Sequence, residues 1–194
     1  MIDQTPERPE THADRQGSSV YGYGSPVVQE RYISREAASA AEFFLPHLGS
    51  GTSLLDCGCG PGTITLGLAE AVAPGRVVGV DLESGMVELA RSYAEKRQVA
   101  NVRFEVADIC ELPFPDGSFD AVFTCSVLEH LGDPLVALQE IGRVLKFGGL
   151  VGVASADWSD PLISPPDESV GQFFELFERG FRRHGGSLNR GRHL

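Results

Sequence analysis

The sequence is poor in positive charge and has no long apolar run. Lysine and arginine together number 16 against 27 aspartate and glutamate residues, which gives a formal net charge of -11. A surface with this charge repels phosphate backbones, so we expect no nucleic-acid partner. No apolar segment approaches the roughly 20 residues that span a bilayer, and the first residues lack the apolar core of a secretory signal. These absences predict a cytoplasmic protein without a membrane span.

Cysteine is also scarce, and its spacing indicates neither a disulfide scaffold nor a metal site. The four cysteines are Cys57, Cys59, Cys110 and Cys125. They stand in apolar or glycine-rich stretches, which favours reduced and mostly buried thiols. A structural zinc site usually has four nitrogen or sulfur ligands, and no second cluster accompanies Cys57 and Cys59. We therefore predict no bound metal.

Predicted strands and helices alternate through most of the chain. Residues 1–25 are polar, which predicts a flexible arm, and a helix is expected over 36–46. The strands are expected at 53–56, 76–81, 102–106, 120–125 and 150–154. The helices between them are expected at 62–73, at 84–97 with Ser84 as N-cap, and at 134–145 behind an Asp133 N-cap. This order predicts a doubly wound α/β fold, a mostly parallel sheet with helices on both faces, in one domain over 26–194.

A glycine-rich loop stands at the end of the first predicted strand. Glycines at 58, 60 and 62 follow Asp56 and open the next helix. Ligands of open parallel sheets bind outside the carboxyl ends of the strands, and glycines let a ligand approach the backbone. Asp81, at the end of the second strand, also suits the ribose of a dinucleotide. However, Thr63 stands where the dinucleotide fingerprint needs glycine, and the Asp56 charge is poorly suited beside a pyrophosphate.

Three of the first predicted strands end near carboxylates, namely Asp56, Asp81 and Asp108. Such a set suits a cationic nucleoside with an amino-acid tail. These residues, the 54–62 loop and the segments 114–122 and 128–131 closely resemble class I S-adenosylmethionine-dependent methyltransferases. The nearest branch is that of the ubiquinone and menaquinone biosynthesis methyltransferases. The resemblance implies a Rossmann-like fold, S-adenosylmethionine as cofactor, and in-line methyl transfer to a small, apolar or aromatic metabolite.

The resemblance also implies roles for the residues around the glycine loop. Gly58, Cys59 and Gly60 would line the methionine moiety. Asp56 would order the loop or meet the ammonium group of the cofactor, and Asp81 would accept both ribose hydroxyls. The alternative is that both carboxylates only cap the turns that follow them.

Further roles are implied around the adenine. Leu82 and Met86 would pack on the ring, Asp108 would accept from its exocyclic amine, and Ile109 would cover it. Met86 and Ile109 would serve equally well as core residues, and Asp108 as a turn residue. Cys125 would border the methyl-transfer position together with the residue after it.

His130 is the candidate catalytic residue, because a histidine has a pKa suited to a general base. The alternative is that His130 only lines the pocket. Tyr21 and Tyr23 are candidate lid residues, and an aromatic helix over 170–181 is a candidate acceptor wall.

The family closes its sheet with a sixth and a seventh strand, whereas after Phe181 this sequence is polar and rich in glycine. We therefore expect a C-terminally shortened methyltransferase domain that lacks strands 6 and 7 and exposes the edge of its fifth strand. Two other functions stay open: a module that binds S-adenosylmethionine without turnover, and a nucleotide-dependent oxidoreductase, which Thr63 disfavours.

Overall fold

A five-stranded parallel sheet forms the centre of the protein. The computed structural model describes residue 30 and residues 33–158, 168–183 and 185–193. The strand order is β3-β2-β1-β4-β5, and every pairing is parallel. The strands are β1 Leu54–Cys57, β2 Val77–Asp81, β3 Val102–Val106, β4 Phe119–Cys125 and β5 Leu145–Ala154. The predicted doubly wound sheet is confirmed, while the expected arm and its tyrosines, Tyr21 and Tyr23, lie outside the described residues.

Helices connect the strands and cover the sheet. The α-helices are α1 Ala37–Ala40, α2 Thr63–Val72, α3 Ser84–Arg97, α4 Pro134–Val144 and α5 Glu168–Arg183. Short 3-10 turns lie at Leu45–His47, Leu128–His130 and Arg190–Arg192. Among the described residues, no helix combines the length and the apolar character that a membrane span requires.

Strand β1 is buried on both faces, which explains its uninterrupted apolar sequence. Successive side chains of a strand point to opposite faces of the sheet. Leu54 packs in a cluster with Leu68 of α2, whereas Leu55 packs in a second cluster with Ile141 of α4. Both leucines are completely buried. The strand order reverses between β1 and β4, so the crevice in which open α/β sheets bind ligands lies beyond the carboxyl ends of these two strands.

Two helix boundaries differ from the prediction. The helix expected over 36–46 ends at Ala40, because the chain turns to place the Phe44 ring on Phe123 of β4, with 5.5 Å between the ring centroids. Ser84 is the first residue of α3 and not its N-cap, which is Glu83. The predicted Asp133 cap is confirmed, since its carboxylate accepts from the backbone N–H of Leu135 at 3.0 Å.

Strand β5 begins earlier than predicted. It follows α4 directly at Leu145, which pairs with Phe119 of β4, and the register shifts between Phe119 and Ala121. A period-2 pattern does not reveal such an irregular start. Within the described residues no strand follows β5, and Leu150 and Val151 of β5 are 43% and 49% exposed.

The described residues after β5 form an aromatic layer, and the segment after α5 packs against the turn that follows β4. The aromatic helix predicted over 170–181 is confirmed as α5, whose Phe177 ring contacts the Trp158 ring at 6.0 Å between centroids. Beyond α5, the backbone N–H of Ser187 donates to the Glu129 carbonyl at 2.9 Å, and Leu188 is buried. This polar segment is therefore docked on the end of the sheet that carries the cavity.

Replacing Asn101 by alanine tests how the end of α2 is held. The Asn101 side-chain amide donates to the carbonyls of Ala69 and Gly75, at 2.8 and 2.7 Å. Because both carbonyls lose this donor, we expect Asn101→Ala to lower the free energy of unfolding by about 1–3 kcal/mol in urea denaturation. The exposed Asn189→Ala is the control, with an expected change within about 0.5 kcal/mol. Equal effects of the two variants would contradict this account.

Candidate functional site

A cavity lies at the carboxyl ends of β1, β2 and β4, where the strand order reverses. Most of the residues singled out from the sequence line it. These are Asp56, Gly58, Cys59, Gly60, Asp81, Leu82, Asp108, Ile109, Cys125 and His130. Met86 is the exception: it is buried on α3 and is not among the described lining residues. The structure thus brings residues from four separated segments to one place.

The glycine loop turns sharply between β1 and α2. The backbone N–H groups of Gly58 and Cys59 both donate to the Val80 carbonyl, at 2.8 and 2.9 Å. Gly58 has a φ of +77°, and a β-carbon there would lie 2.1 Å from a methyl group of Val127. Only glycine combines this conformation with such close packing. At Gly58 and Gly60 the loop therefore presents backbone to the cavity.

Asp81 ties the glycine loop to the end of β2. One carboxylate oxygen accepts from the Gly60 N–H at 2.8 Å, and the other accepts from the Glu83 N–H at 2.9 Å. The residue is only 9% exposed, and burial raises the pKa of its carboxyl above the usual range. Each carboxylate oxygen has a second lone pair, so Asp81 retains acceptor capacity towards a ligand in the cavity.

Asp56 is more deeply buried, at 2% exposure, and is the penultimate residue of β1. Its carboxylate accepts from the Thr65 hydroxyl of α2 at 2.6 Å. Burial raises the pKa of Asp56 to about 7, and the negative charge of Asp81 adds to this rise. A cation in the cavity would stabilise the ionised carboxylate, because opposite charges within a few ångströms favour the charged form.

The loop after β3 supplies a further wall of the cavity. Asp108 accepts from the backbone N–H of Cys110 at 2.8 Å, which is the turn role that the sequence left open beside a ligand role. Ile109 is 8% exposed, whereas Leu82 on the neighbouring loop is 40% exposed. Leu82 therefore offers an exposed apolar surface at the cavity, whereas Ile109 is nearly buried in its wall.

The end of β4 and the turn after it form the opposite wall. Cys125 is half-buried, and Ser126 beside it adopts a φ of +58°. The His130 ring stacks on Phe181 of α5, with 4.7 Å between the centroids. Burial lowers the pKa of His130 below its usual value, so the imidazole is neutral at pH 7.

Two residues of this region escaped the sequence prediction. Arg35 lines the cavity, and its guanidinium contacts Cys125 and Ser126. Glu129 is 1% exposed and accepts from the Ser155 hydroxyl at 2.7 Å, which joins the turn after β4 to the end of β5. In the sequence, the apolar residues Leu128 and Leu131 on either side of Glu129 and His130 were the only sign of this burial. No feature of the sequence indicated that Arg35 lines the cavity.

The central segment of the chain is similar to known methyltransferases. Residues 55–153 match the family described as a methyltransferase domain. An uncharacterized methyltransferase of Schizosaccharomyces pombe is 35% identical over 146 residues, which cover 72% of this chain and 52% of that protein. Demethylmenaquinone methyltransferase of Staphylococcus aureus is 43% identical over 102 residues, which cover 52% of this chain and 42% of that enzyme.

A solved structure shares the fold. The SAM-dependent methyltransferase from Aquifex aeolicus is 24% identical, with a TM-score of 0.64 over 78% of this chain and 87% of that chain. The curated relatives are longer than the matched part: the match covers 36%, 52% and 48% of the length of three of them.

Replacing Asp56 by asparagine tests the burial of its charge. Since the pKa of Asp56 is about 7 in the folded protein against 3.8 as its ordinary value, wild-type stability falls as the pH rises between these two values. Asparagine retains an oxygen for the Thr65 hydroxyl but carries no charge. We therefore expect Asp56→Asn to raise Tm by a few degrees at pH 8, about 1–2 kcal/mol, and to leave it nearly unchanged at pH 4.

Asp120→Asn is the control, and we expect it to change Tm at pH 8 in the opposite direction. The Asp120 carboxylate accepts from Lys146 at 2.7 Å, and this bond holds its pKa below the usual value. We expect this variant to lower Tm at pH 8. A loss of stability in Asp56→Asn at pH 8 would contradict the account of Asp56.

Proposed function

Because this chain belongs to the class I S-adenosylmethionine-dependent methyltransferases, we propose that it binds S-adenosylmethionine in the cavity and transfers the methyl group to a small acceptor. The observation that carries the proposal is the nearly buried Asp81 carboxylate, held between the glycine loop and the end of β2. A carboxylate in this position suits two vicinal hydroxyl groups, because each of its oxygens accepts one of them.

The other lining residues fit the remaining parts of the cofactor. Leu82 and Ile109 offer apolar surfaces for the adenine, and Asp108 provides an acceptor for its amino group. The backbone of the glycine loop leaves room for the methionine moiety, and Asp56 supplies a negative charge for the ammonium group. Met86 is buried on α3 and is not among the described lining residues, so it has no part in this assignment.

The reaction that we propose is an in-line displacement. When bound, the cofactor supplies an electrophilic methyl carbon on a sulfonium, so no covalent enzyme intermediate is needed. The chain has to hold the acceptor nucleophile close to that carbon, aligned with it and shielded from water. Cys125, Ser126 and His130 line the wall where the acceptor would lie. The neutral imidazole of His130 suits it to accept the proton of an acceptor hydroxyl.

We propose a small apolar or aromatic acceptor. The His130 ring stacks on Phe181, and the rings of Phe173, Phe174 and Phe177 continue this aromatic surface along α5. Demethylmenaquinone, the substrate in the name of the Staphylococcus aureus relative, has this aromatic character. A hydrophobic wall beside the methyl position would favour such an acceptor and exclude water.

Replacing Asp81 tests the cofactor site. We expect Asp81→Ala to weaken the binding of S-adenosylhomocysteine, the demethylated product, by about 10- to 100-fold, because two charge-assisted hydrogen bonds are lost. Asp81→Asn is the second variant: it preserves the size of the side chain but can accept from only one of the two loop N–H groups, so the Tm of both variants is measured to distinguish a lost ligand contact from a collapsed loop. The exposed Asp116→Ala serves as control. If Asp81→Ala binds as tightly as wild type in calorimetry, the site is misplaced.

Replacing His130 tests the proton acceptor. The measurement is transfer of a radiolabelled methyl group to a metabolite extract across a range of pH. If His130 accepts a proton, wild-type turnover falls as the pH drops below the lowered pKa of His130, and His130→Gln removes this acid limb and slows turnover about 100-fold or more. An unchanged pH profile in His130→Gln would assign His130 to the pocket wall alone. Binding of the cofactor without any transfer would favour the non-catalytic module.

A further inference from the structure

Glu129 is a carboxylate buried beside the cavity. It is 1% exposed and lies in the 3-10 turn Leu128–His130, directly before the candidate proton acceptor. Glutamate is rarely buried to this extent without a partner of opposite charge, because a carboxylate loses its hydration. No ion pair joins Glu129 to a lysine or arginine in the described part of the chain. A carboxylate kept at this cost, next to a cavity, indicates a role in the site.

Hydrogen bonds of Glu129 tie the turn to two other segments. One carboxylate oxygen accepts from the Ser155 hydroxyl at 2.7 Å, and the other accepts from the Ala156 N–H at 3.4 Å, just beyond β5. The backbone carbonyl of Glu129 accepts from the Ser187 N–H at 2.9 Å, in the segment after α5. The turn that carries His130 is therefore held by the ends of two elements that are distant in the sequence.

The negative charge of Glu129 acts on two side chains of the cavity wall. Burial lowers the pKa of His130, and the Glu129 charge opposes this fall. Burial raises the pKa of the Cys125 thiol, and the Glu129 charge adds to this rise. The carboxylate thus influences the wall where the acceptor would lie, although it is itself buried.

Other charged groups stand on the elements around this turn. They are Arg35, Asp56, Asp81 and Asp108 at the cavity, Asp133 before α4, Glu178 and Arg182 on α5, and Asp157, Arg190 and Arg192 beyond β5 and α5. Glu178 pairs with Arg182, Asp157 pairs with Arg192, and Arg190 donates to the Leu131 carbonyl at 3.2 Å. Among the described groups, Glu129 is the one whose charge opposes burial at His130.

We propose that Glu129 is a positioning residue that acts through His130: its carboxylate fixes the turn that carries the imidazole and keeps a negative charge beside it. This inference rests on the proposed function, in which His130 takes a proton from the acceptor. The imidazole nitrogen then becomes cationic, the acceptor oxygen uses the freed electron pair to bond the methyl carbon, and the electrons of the broken carbon–sulfur bond stay on sulfur. A neighbouring negative charge stabilises the imidazolium, which burial alone would disfavour.

Three substitutions separate the charge of Glu129 from its hydrogen bonds. Glu129→Gln loses the charge but retains both bonds, because the amide donates to the Ser155 hydroxyl and accepts from the Ala156 N–H. Glu129→Ala loses the charge and the bonds, whereas Ser155→Ala loses one bond and retains the charge. The matched control is Glu88→Gln, which removes a carboxylate from an exposed position on α3.

The first readout is the pKa of His130, measured by NMR titration of its ring protons. His130→Gln identifies these signals among those of the five histidines. We expect Glu129→Gln to lower the pKa of His130, because the opposing charge is lost, and Ser155→Ala and Glu88→Gln to leave it near the wild-type value. Glu129→Gln should also retain the ring-current shift caused by Phe181, which stacks on His130 at 4.7 Å, whereas Glu129→Ala should lose it.

The second readout is methyl transfer as a function of pH. Glu129→Gln should move the acid limb of turnover to lower pH and slow transfer at pH 8 by about 3- to 10-fold, because its imidazole is a weaker base. In a His130→Gln background, the same substitution should change turnover by less than about twofold, since its effect passes through His130.

The inference is overturned if Glu129→Gln leaves the pKa of His130 at the wild-type value. It is also overturned if Glu129→Gln slows transfer equally with and without His130, since Glu129 would then act on the fold alone. The NMR titration requires neither cofactor nor acceptor. Failure of wild type to bind S-adenosylhomocysteine would therefore contradict the proposed function alone, and the titration would still decide the role of Glu129.

Discussion

The cavity depends on one buried carboxylate, that of Asp81. By accepting from the backbone N–H groups of Gly60 and Glu83, it joins the glycine loop after β1 to the loop after β2. Because these loops follow neighbouring strands, the two bonds hold adjacent walls of the cavity together. The sheet in turn keeps the position of Asp81 fixed, since β1 and β2 are fully buried. The geometry of the site is thus a consequence of parallel pairing.

The burial of carboxylates at this site lowers the free energy of unfolding. Asp56 and Asp81 lie almost out of reach of water, and burial raises the pKa of both carboxyls. A protein selected only for stability would place neutral groups there, so charges kept at this cost indicate a site for a ligand. Arg35 offsets part of the cost, and a cationic ligand would offset more of it. Binding and folding are therefore linked through these carboxylates.

Local sequence patterns were sufficient to predict the buried strands and the glycine loop. Strands β1 and β2 are short and apolar because they are buried on both faces, and the glycine loop is visible in the sequence as Gly58, Gly60 and Gly62. Arg35 and Glu129 escaped prediction because their roles arise from contacts across 90 and 26 residues of chain, with Cys125 and Ser155. The family resemblance assigned Met86 to the adenine, and its side chain is buried on α3 and is not among the described residues that line the cavity. Tertiary contacts of this kind leave no periodic trace.

We propose that S-adenosylmethionine is held at the carboxyl ends of β1, β2 and β4 through Asp81. The most direct measurement is the crystal structure of the chain grown with S-adenosylhomocysteine. The account predicts the ribose hydroxyls within hydrogen-bond distance of the Asp81 carboxylate and the adenine between Leu82 and Ile109. Density for the ligand at another place on the protein, or an adenosine group that does not contact Asp81, would contradict it.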